Sequence, residues 1–203
     1  NRKFTPGLTA KQPGGEGPIS AAVAGSHIYV YGTGGNPSRE ELDARRAQAA
    51  AAADWTGRGG RIMVFPRVIA DKDVRQSDYV TSNLVLFGTR ETNAVIEKFA
   101  DRLPMHLNAE AEEYGLVYIY PMNRHYLLIN SGLPWWTPPE QEAGQQGLNF
   151  MGAKIEMLKK YGDFILFHRS PDNVIRQGTF DNEWKIKEPD AAALQSSGVI
   201  SLQ

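Results

Sequence analysis

Two loops have the residue types to hold an anion through their backbone. Gly32-Thr33-Gly34-Gly35-Asn36 and Gly88-Thr89-Arg90 each stand between a β-branched or apolar run and the start of a helical pattern. N–H groups at such a strand-to-helix junction can bind a phosphate or carboxylate. Arg90 adds a cation that could pair with it. Both loops should lie at the carboxyl edge of a sheet, where open α/β sheets bind ligands. The first loop does not match the Gly-x-Gly-x-x-Gly dinucleotide fingerprint. Its glycines also suit a plain βα turn that needs positive φ, and Arg90 also reads as an exposed helix-start residue. Trp135-Trp136, in a Pro-rich loop, could stack on a sugar ring or a partner, or pack the loop onto its own domain.

Catalytic patterns are missing. No Gly-x-Ser-x-Gly elbow presents a nucleophile, and Ser26 and Ser131 each have a single Gly neighbour. There is no phosphate-binding Gly-x-x-x-x-Gly-Lys-Ser/Thr loop and no His-Glu-x-x-His. The four histidines, His27, His106, His125 and His168, are scattered, and with no cysteine the chain has no thiolate zinc site and no Cys nucleophile. The sequence therefore suggests no catalytic residue, metal site or cofactor. His125 at a hairpin tip could do acid–base work, and an unconventional hydrolase site could use, for example, Ser131 with His125. Glu110, Glu112 and Glu113 read as a solvated face.

The elements that position these loops follow from periodicity. His27-Ile28-Tyr29-Val30-Tyr31 reads as a first strand. Ser38 with Glu41 three residues on forms a capping box for a helix through the alanines at 47–53, stopped by Gly57, Gly59 and Gly60. Arg61-Ile62-Met63-Val64-Phe65 reads as a second strand closed by Pro66, and Asp71-Lys72-Asp73 as a turn. Asn83-Leu84-Val85-Leu86-Phe87 is continuously apolar after its first residue, as suits a strand buried on both faces. A helix with Val95, Phe99 and Leu103 on one face follows and ends at Pro104. Leu116-Val117-Tyr118-Ile119-Tyr120 and Tyr126-Leu127-Leu128-Ile129-Asn130 form a hairpin around Pro121-Met122-Asn123-Arg124. After the loop from Gly132 to Gly147, a helix carries Leu148, Met151, Ile155 and Leu158, stopped by Gly162. Asp163-Phe164-Ile165-Leu166-Phe167 is a further buried strand, the segment 179–186 an edge strand, and the tail past Pro189 loosely held. The fold class is α/β, a doubly wound, mostly parallel sheet with a hairpin and an antiparallel edge strand. The organisation is a lead-in over 1–25, one domain over 26–187 and a tail over 188–203.

The 203 residues are 41% hydrophobic and 22% charged, enough for a single core and unlike a disordered chain. A net charge of −1 gives no electrostatic case for nucleic acid or an anionic membrane. No apolar run reaches the roughly 18 residues of a membrane span. Asn1 stands where an initiator Met would, and no apolar stretch follows it. That suggests a processed product or part of a longer chain.

Several stretches, in order, carry a resemblance. They are Gly17-Pro18-Ile19, Tyr29-Val30-Tyr31-Gly32-Thr33, the run from Asn83 to Gly88, and Leu103-Pro104. Tyr118-Ile119-Tyr120-Pro121, Leu127-Leu128-Ile129-Asn130-Ser131-Gly132, Asp163-Phe164-Ile165-Leu166-Phe167 and Gly178-Thr179-Phe180-Asp181-Asn182-Glu183-Trp184 complete it. Across residues 17 to 187 the chain resembles the C-terminal accessory region of bacterial α/β-hydrolase-type esterases and prolyl-oligopeptidase-like hydrolases. The resemblance implies a triad upstream of this region, an α/β-hydrolase catalytic domain as partner in the same polypeptide or a companion chain, and a periplasmic or secreted bacterial protein. No matched motif carries a catalytic role. Three functions stay open: an accessory module of a secreted serine hydrolase, an independent binder of anions or sugars, and a free-standing hydrolase with an unconventional site.

Overall fold

A computed structural model describes residues 10–11, 15–54, 66–137 and 153–203. Strand β1 (His27–Tyr31) leads to helix α2 (Arg39–Ala53), after a single short turn of helix, α1 (Ala21–Ala24). Ser38 Oγ accepts from Glu41 N at 3.2 Å, and Ser38 N donates to Glu41 Oε2 at 2.7 Å, so the capping box forms as read. Ala49, Ala52 and Ala53 are buried, and their small side chains let the helix lie close to the sheet.

The chain then returns as β2 (Arg67–Ala70), which pairs parallel with β1. The strand expected at 61–65 lies outside the described residues. Pro66, read as closing a strand, instead stands before one, a position where its missing N–H costs no ladder bond. Next come α3 (Asp78–Thr81), β3 (Asn83–Phe87), buried throughout, and α4 (Ala94–Phe99). A turn of 3₁₀ helix over Ala100–Arg102 extends α4, so Val95, Phe99 and Leu103 all reach the core before Pro104. Strand β4 (Met105–Leu107) precedes the hairpin of β5 (Tyr114–Met122) and β6 (His125–Gly132). Asn123, at φ 60°, makes the tight turn between them. Helix α5 (Ala153–Lys159), β7 (Phe164–His168), β8 (Val174–Gly178), α6 (Glu188–Ser196) and β9 (Ile200–Leu202) complete the described chain. Of the last-helix stripe, Leu148 and Met151 fall outside the described residues, as does the part of the Pro-rich loop from 138 on; Leu158 is fully buried.

The main sheet has seven strands in the order β2-β1-β3-β6-β5-β7-β8. β2, β1, β3 and β6 pair parallel, while β5 is antiparallel to both β6 and β7, and β8 to β7. The chain moves from β1 outward to β2 and then back across β1 to β3. This reversal is the switch point of a doubly wound sheet. The protein is α/β, with a mostly parallel sheet as the sequence implied, and β4 and β9 form a separate antiparallel pair.

Three segments differ from expectation. The antiparallel edge strand is Val174–Gly178, whereas the residues read as that strand, 179–186, fold into turns. Asp181 Oδ1 accepts from Glu183 N at 2.9 Å and Lys185 N at 2.8 Å, which curls the chain and drives Trp184 to φ 62°. The tail past Pro189 is not loose. α6 buries Leu194, and β9 pairs Leu107 with Ile200. The lead-in also joins the core, because Ile19 and Ala22 are fully buried. Lys11 ties that segment down through an ion pair to the buried Asp163 and a hydrogen bond from its N–H to Asn182 O at 2.7 Å.

Candidate functional site

The sheet topology brings the two Gly-Thr loops together. Tyr31 and Phe87 end neighbouring strands in register, so Gly32-Thr33 and Gly88-Thr89 leave the same edge at the switch point. Asp71 emerges there too, one residue past the end of β2. Its carboxylate is buried and accepts four hydrogen bonds: from Thr33 N at 3.1 Å, Thr33 Oγ1 at 2.6 Å, Ala94 N at 2.8 Å and Lys72 N at 2.8 Å. Ala94 N opens α4, so the anion sits against unpaired amide groups of a helix start. The locus that the glycine pattern marked for an anion is filled by the chain's own carboxylate.

Three further donors of these loops are used as well. Gly34 N donates to Thr92 O at 2.9 Å, Thr89 N to Thr92 Oγ1 at 2.8 Å, and Gly88 N to Asn130 O at 3.1 Å. Arg45 Nη1 donates to Gly34 O at 2.8 Å, tying the first loop back to α2. A Cβ built on Gly32 would lie 2.0 Å from Thr92 O. The first loop therefore lies directly against Thr92, in the turn that follows the second loop. Gly35 (φ 79°) and Asn36 (φ 50°) take left-handed conformations, as a sharp βα turn requires. Arg90 lies outside this cluster, half-exposed and paired with Glu91 at 2.8 Å.

Asn93 is the brace between the loops. Buried at 1% exposure, it donates to Phe87 O at 2.9 Å and caps α4 by accepting from Val95 N at 3.0 Å. Neither Asp71, read as a turn, nor Asn93 stood out in the sequence. Polar residues at loop positions give no sign of burial until the strands are ordered.

Trp135 and Trp136 pack on their own domain. Trp135 is 1% exposed and stacks on Phe87 at 6.0 Å, with Trp136 edge-on to it at 4.6 Å. Beside them on the same sheet face, Asn130 is buried with neither amide atom hydrogen-bonded among the described residues.

The weighed nucleophile–base pair is not assembled. Ser131 Oγ donates to Gly88 O at 2.7 Å, and His125 Nε2 meets Val80 O at 2.9 Å. They sit six positions apart on one strand, which is about 20 Å at the usual rise per residue. His106 Nε2 meets Ala100 O at 3.1 Å, and burial lowers its pKa. His27 Nδ1 meets Gly25 O at 2.7 Å, and burial again lowers the pKa. His168 lies beside Glu113, whose carboxyl is held below the usual carboxylate range by hydrogen bonds from Arg169 and His168. Each ring is placed by its local surroundings, with no nucleophile against it in any hydrogen bond above. Among the described residues, no group of three or more His, Cys, Asp or Glu side chains could hold a metal ion, and no helix is long and apolar enough to cross a membrane.

Compared with known proteins, the chain matches no family model, no curated protein and no solved structure.

Proposed function

We propose that this chain is a non-catalytic accessory α/β domain of a larger secreted bacterial serine hydrolase of the esterase or peptidase kind. It would shape the substrate site or hold the assembly together, with the triad carried by a hydrolase domain in the same polypeptide or a companion chain. One observation carries the reading: the place where a doubly wound sheet usually receives a ligand is sealed by Asp71. An anion binder at the two loops would have to expel that carboxylate. A hydrolase built on Ser131 and His125 would have to close a strand-length gap. The ordered likeness over residues 17 to 187 supplies the link to hydrolases.

The surface that supports such a partner is the sheet edge at β8. Val174 and Ile175 are 39% and 41% exposed there, consecutive on an edge strand. An edge strand presents unpaired backbone groups to a partner. The hydrolase domain is the occupant that this reading assigns to it.

The test is the size and reactivity of the native protein. An antibody against the domain is used on fractions of the source cells, together with a fluorophosphonate probe for serine hydrolases. The expected band is much larger than 22.5 kDa, or co-purifies with such a partner, and takes the probe. A free-standing band of this size that ignores the probe overturns the proposal.

A further inference from the structure

A cavity of about 360 Å³ opens between the end of α4's 3₁₀ turn, the 183–186 turn, α6 and β9. It falls within the range of small-molecule sites, roughly 300–1,000 Å³. Leu103, Pro104, Ile186 and Leu202 form apolar walls, and Tyr120 and Trp184 line the cavity with them.

Two donors at this cavity are left over. Tyr120 is 7% exposed as a residue, and its hydroxyl, at the solvent-accessible end of the ring, has no hydrogen-bond partner among the described residues. Its neighbour Tyr118 shows the contrast, donating to Met105 O at 2.9 Å. Arg102, an exposed residue, also lines the cavity and has no carboxylate within ion-pair distance among the described residues. Its guanidinium rests on the Phe99 ring at 4.7 Å, which fixes its position without satisfying its N–H groups. The two groups are electrostatically coupled: burial raises the Tyr120 pKa, and the Arg102 charge opposes that rise. The chain has also accepted a strained backbone here, because Trp184 takes φ 62° with a large side chain. Its ring meets Tyr120 edge-on at 6.2 Å, so the cavity carries a rigid aromatic corner.

We propose that this cavity binds a small organic carboxylate with a flat apolar body, its carboxylate on Arg102 and the Tyr120 hydroxyl and its body against Trp184 and Leu103. A guanidinium and a hydroxyl together match a planar two-oxygen acceptor. Lys185, Glu183 and Glu188 add one further cation and two carboxylates to the lining. With Arg102 the named charges sum to zero, which disfavours a doubly charged phosphate. The apolar walls reward a hydrocarbon body over a bare ion. The site is independent of any hydrolase partner.

The experiment is titration of the isotope-labelled chain with benzoate, and separately with inorganic phosphate, followed at the tryptophan indole and backbone N–H resonances. Benzoate is expected to give saturable shifts at Trp184 and Ile186. Arg102→Gln should weaken the fit about tenfold and Tyr120→Phe a few-fold, as charge-assisted and neutral hydrogen bonds differ. Tyr120→Phe keeps the ring and Arg102→Gln keeps part of the aliphatic stem while giving up the contact with Phe99, and the spectrum of each variant reports directly that it is folded. Three results overturn the proposal: no saturable shift with benzoate in the folded chain, equal affinity in Arg102→Gln, or phosphate binding at the same residues as tightly as benzoate.

Discussion

The switch-point edge and the cavity beneath Trp184 make opposite use of their donors. At the edge of β1 and β3 the donors that converge, Thr33 N, Thr33 Oγ1 and Ala94 N, end on Asp71. Beside Trp184, Tyr120 and Arg102 line a cavity, and neither the hydroxyl nor the guanidinium meets an acceptor from the described chain. The first region looks like a ligand site in sequence, and the chain's own carboxylate occupies it. The second has no motif and is open. A glycine-rich βα loop offers donors, but an acceptor delivered by a neighbouring strand decides whether any are left for a ligand.

The comparison can be broken by substitution. The largest effect is expected from Trp184→Ala. It removes a ring packed against Tyr120, Tyr126 and Phe180, and should cost about 3–5 kcal/mol in urea unfolding. A much smaller loss would mean that the aromatic corner adapts and does not form a rigid wall. Asp71→Ala comes next. It strands buried donors worth roughly 1–3 kcal/mol each, so a loss of about 3 kcal/mol is expected. Acetate should restore part of it by taking the vacated place, and a variant as stable as the parent would show that the edge is not sealed by this carboxylate. Gly32→Ala should cost about 2 kcal/mol through collision with Thr92 O, as overpacking does. Gly198→Ala is the internal control: at φ 72° with open space around it, it should show only the backbone penalty of about 1 kcal/mol. Equal losses at the two glycines would mean that the loops do not press together.

The smallest effect is one of pH and concerns the cavity side, where His106 follows Met105 on β4. Burial lowers its folded pKa below the ordinary 6.5, against the raising effect of its bond to Ala100. The unfolded chain then binds a proton first as pH falls. Stability is complete above 6.5 and declines below it, until the folded pKa is passed. His27 contributes with the same sign. Unfolding curves at pH 7.5 and 5.5 should show a modest loss that His106→Gln reduces. A rise in stability on acidification would contradict the burial of both rings.

Much of the fold could be read because it rests on short-range pattern. Asn83–Phe87 announces itself as an interior strand, and Ser38 with Glu41 announces the start of α2. The hairpin at Asn123 follows from its flanking apolar runs. What failed had two origins, one in local side-chain capture of the backbone and one in long-range pairing. The 179–186 segment has strand-like residues, yet Asp181 captures two backbone N–H groups and turns the chain. The 188–203 segment looks polar and loose, yet Leu107 and Ile200 pair across more than ninety residues of sequence.

The same division holds for function. Residue types and local spacing determined an α/β core, the two Gly-Thr junctions and the lack of a nucleophile elbow, because each of these is a property of a few neighbouring residues. Only the tertiary structure decided which junction is occupied and where unused donors gather. Asp71 reaches Thr33 and Ala94 only because β2 lies beside β1 and α4 follows β3. Arg102, Tyr120 and Trp184 come together from three separate elements, and no spacing along the chain encodes that meeting.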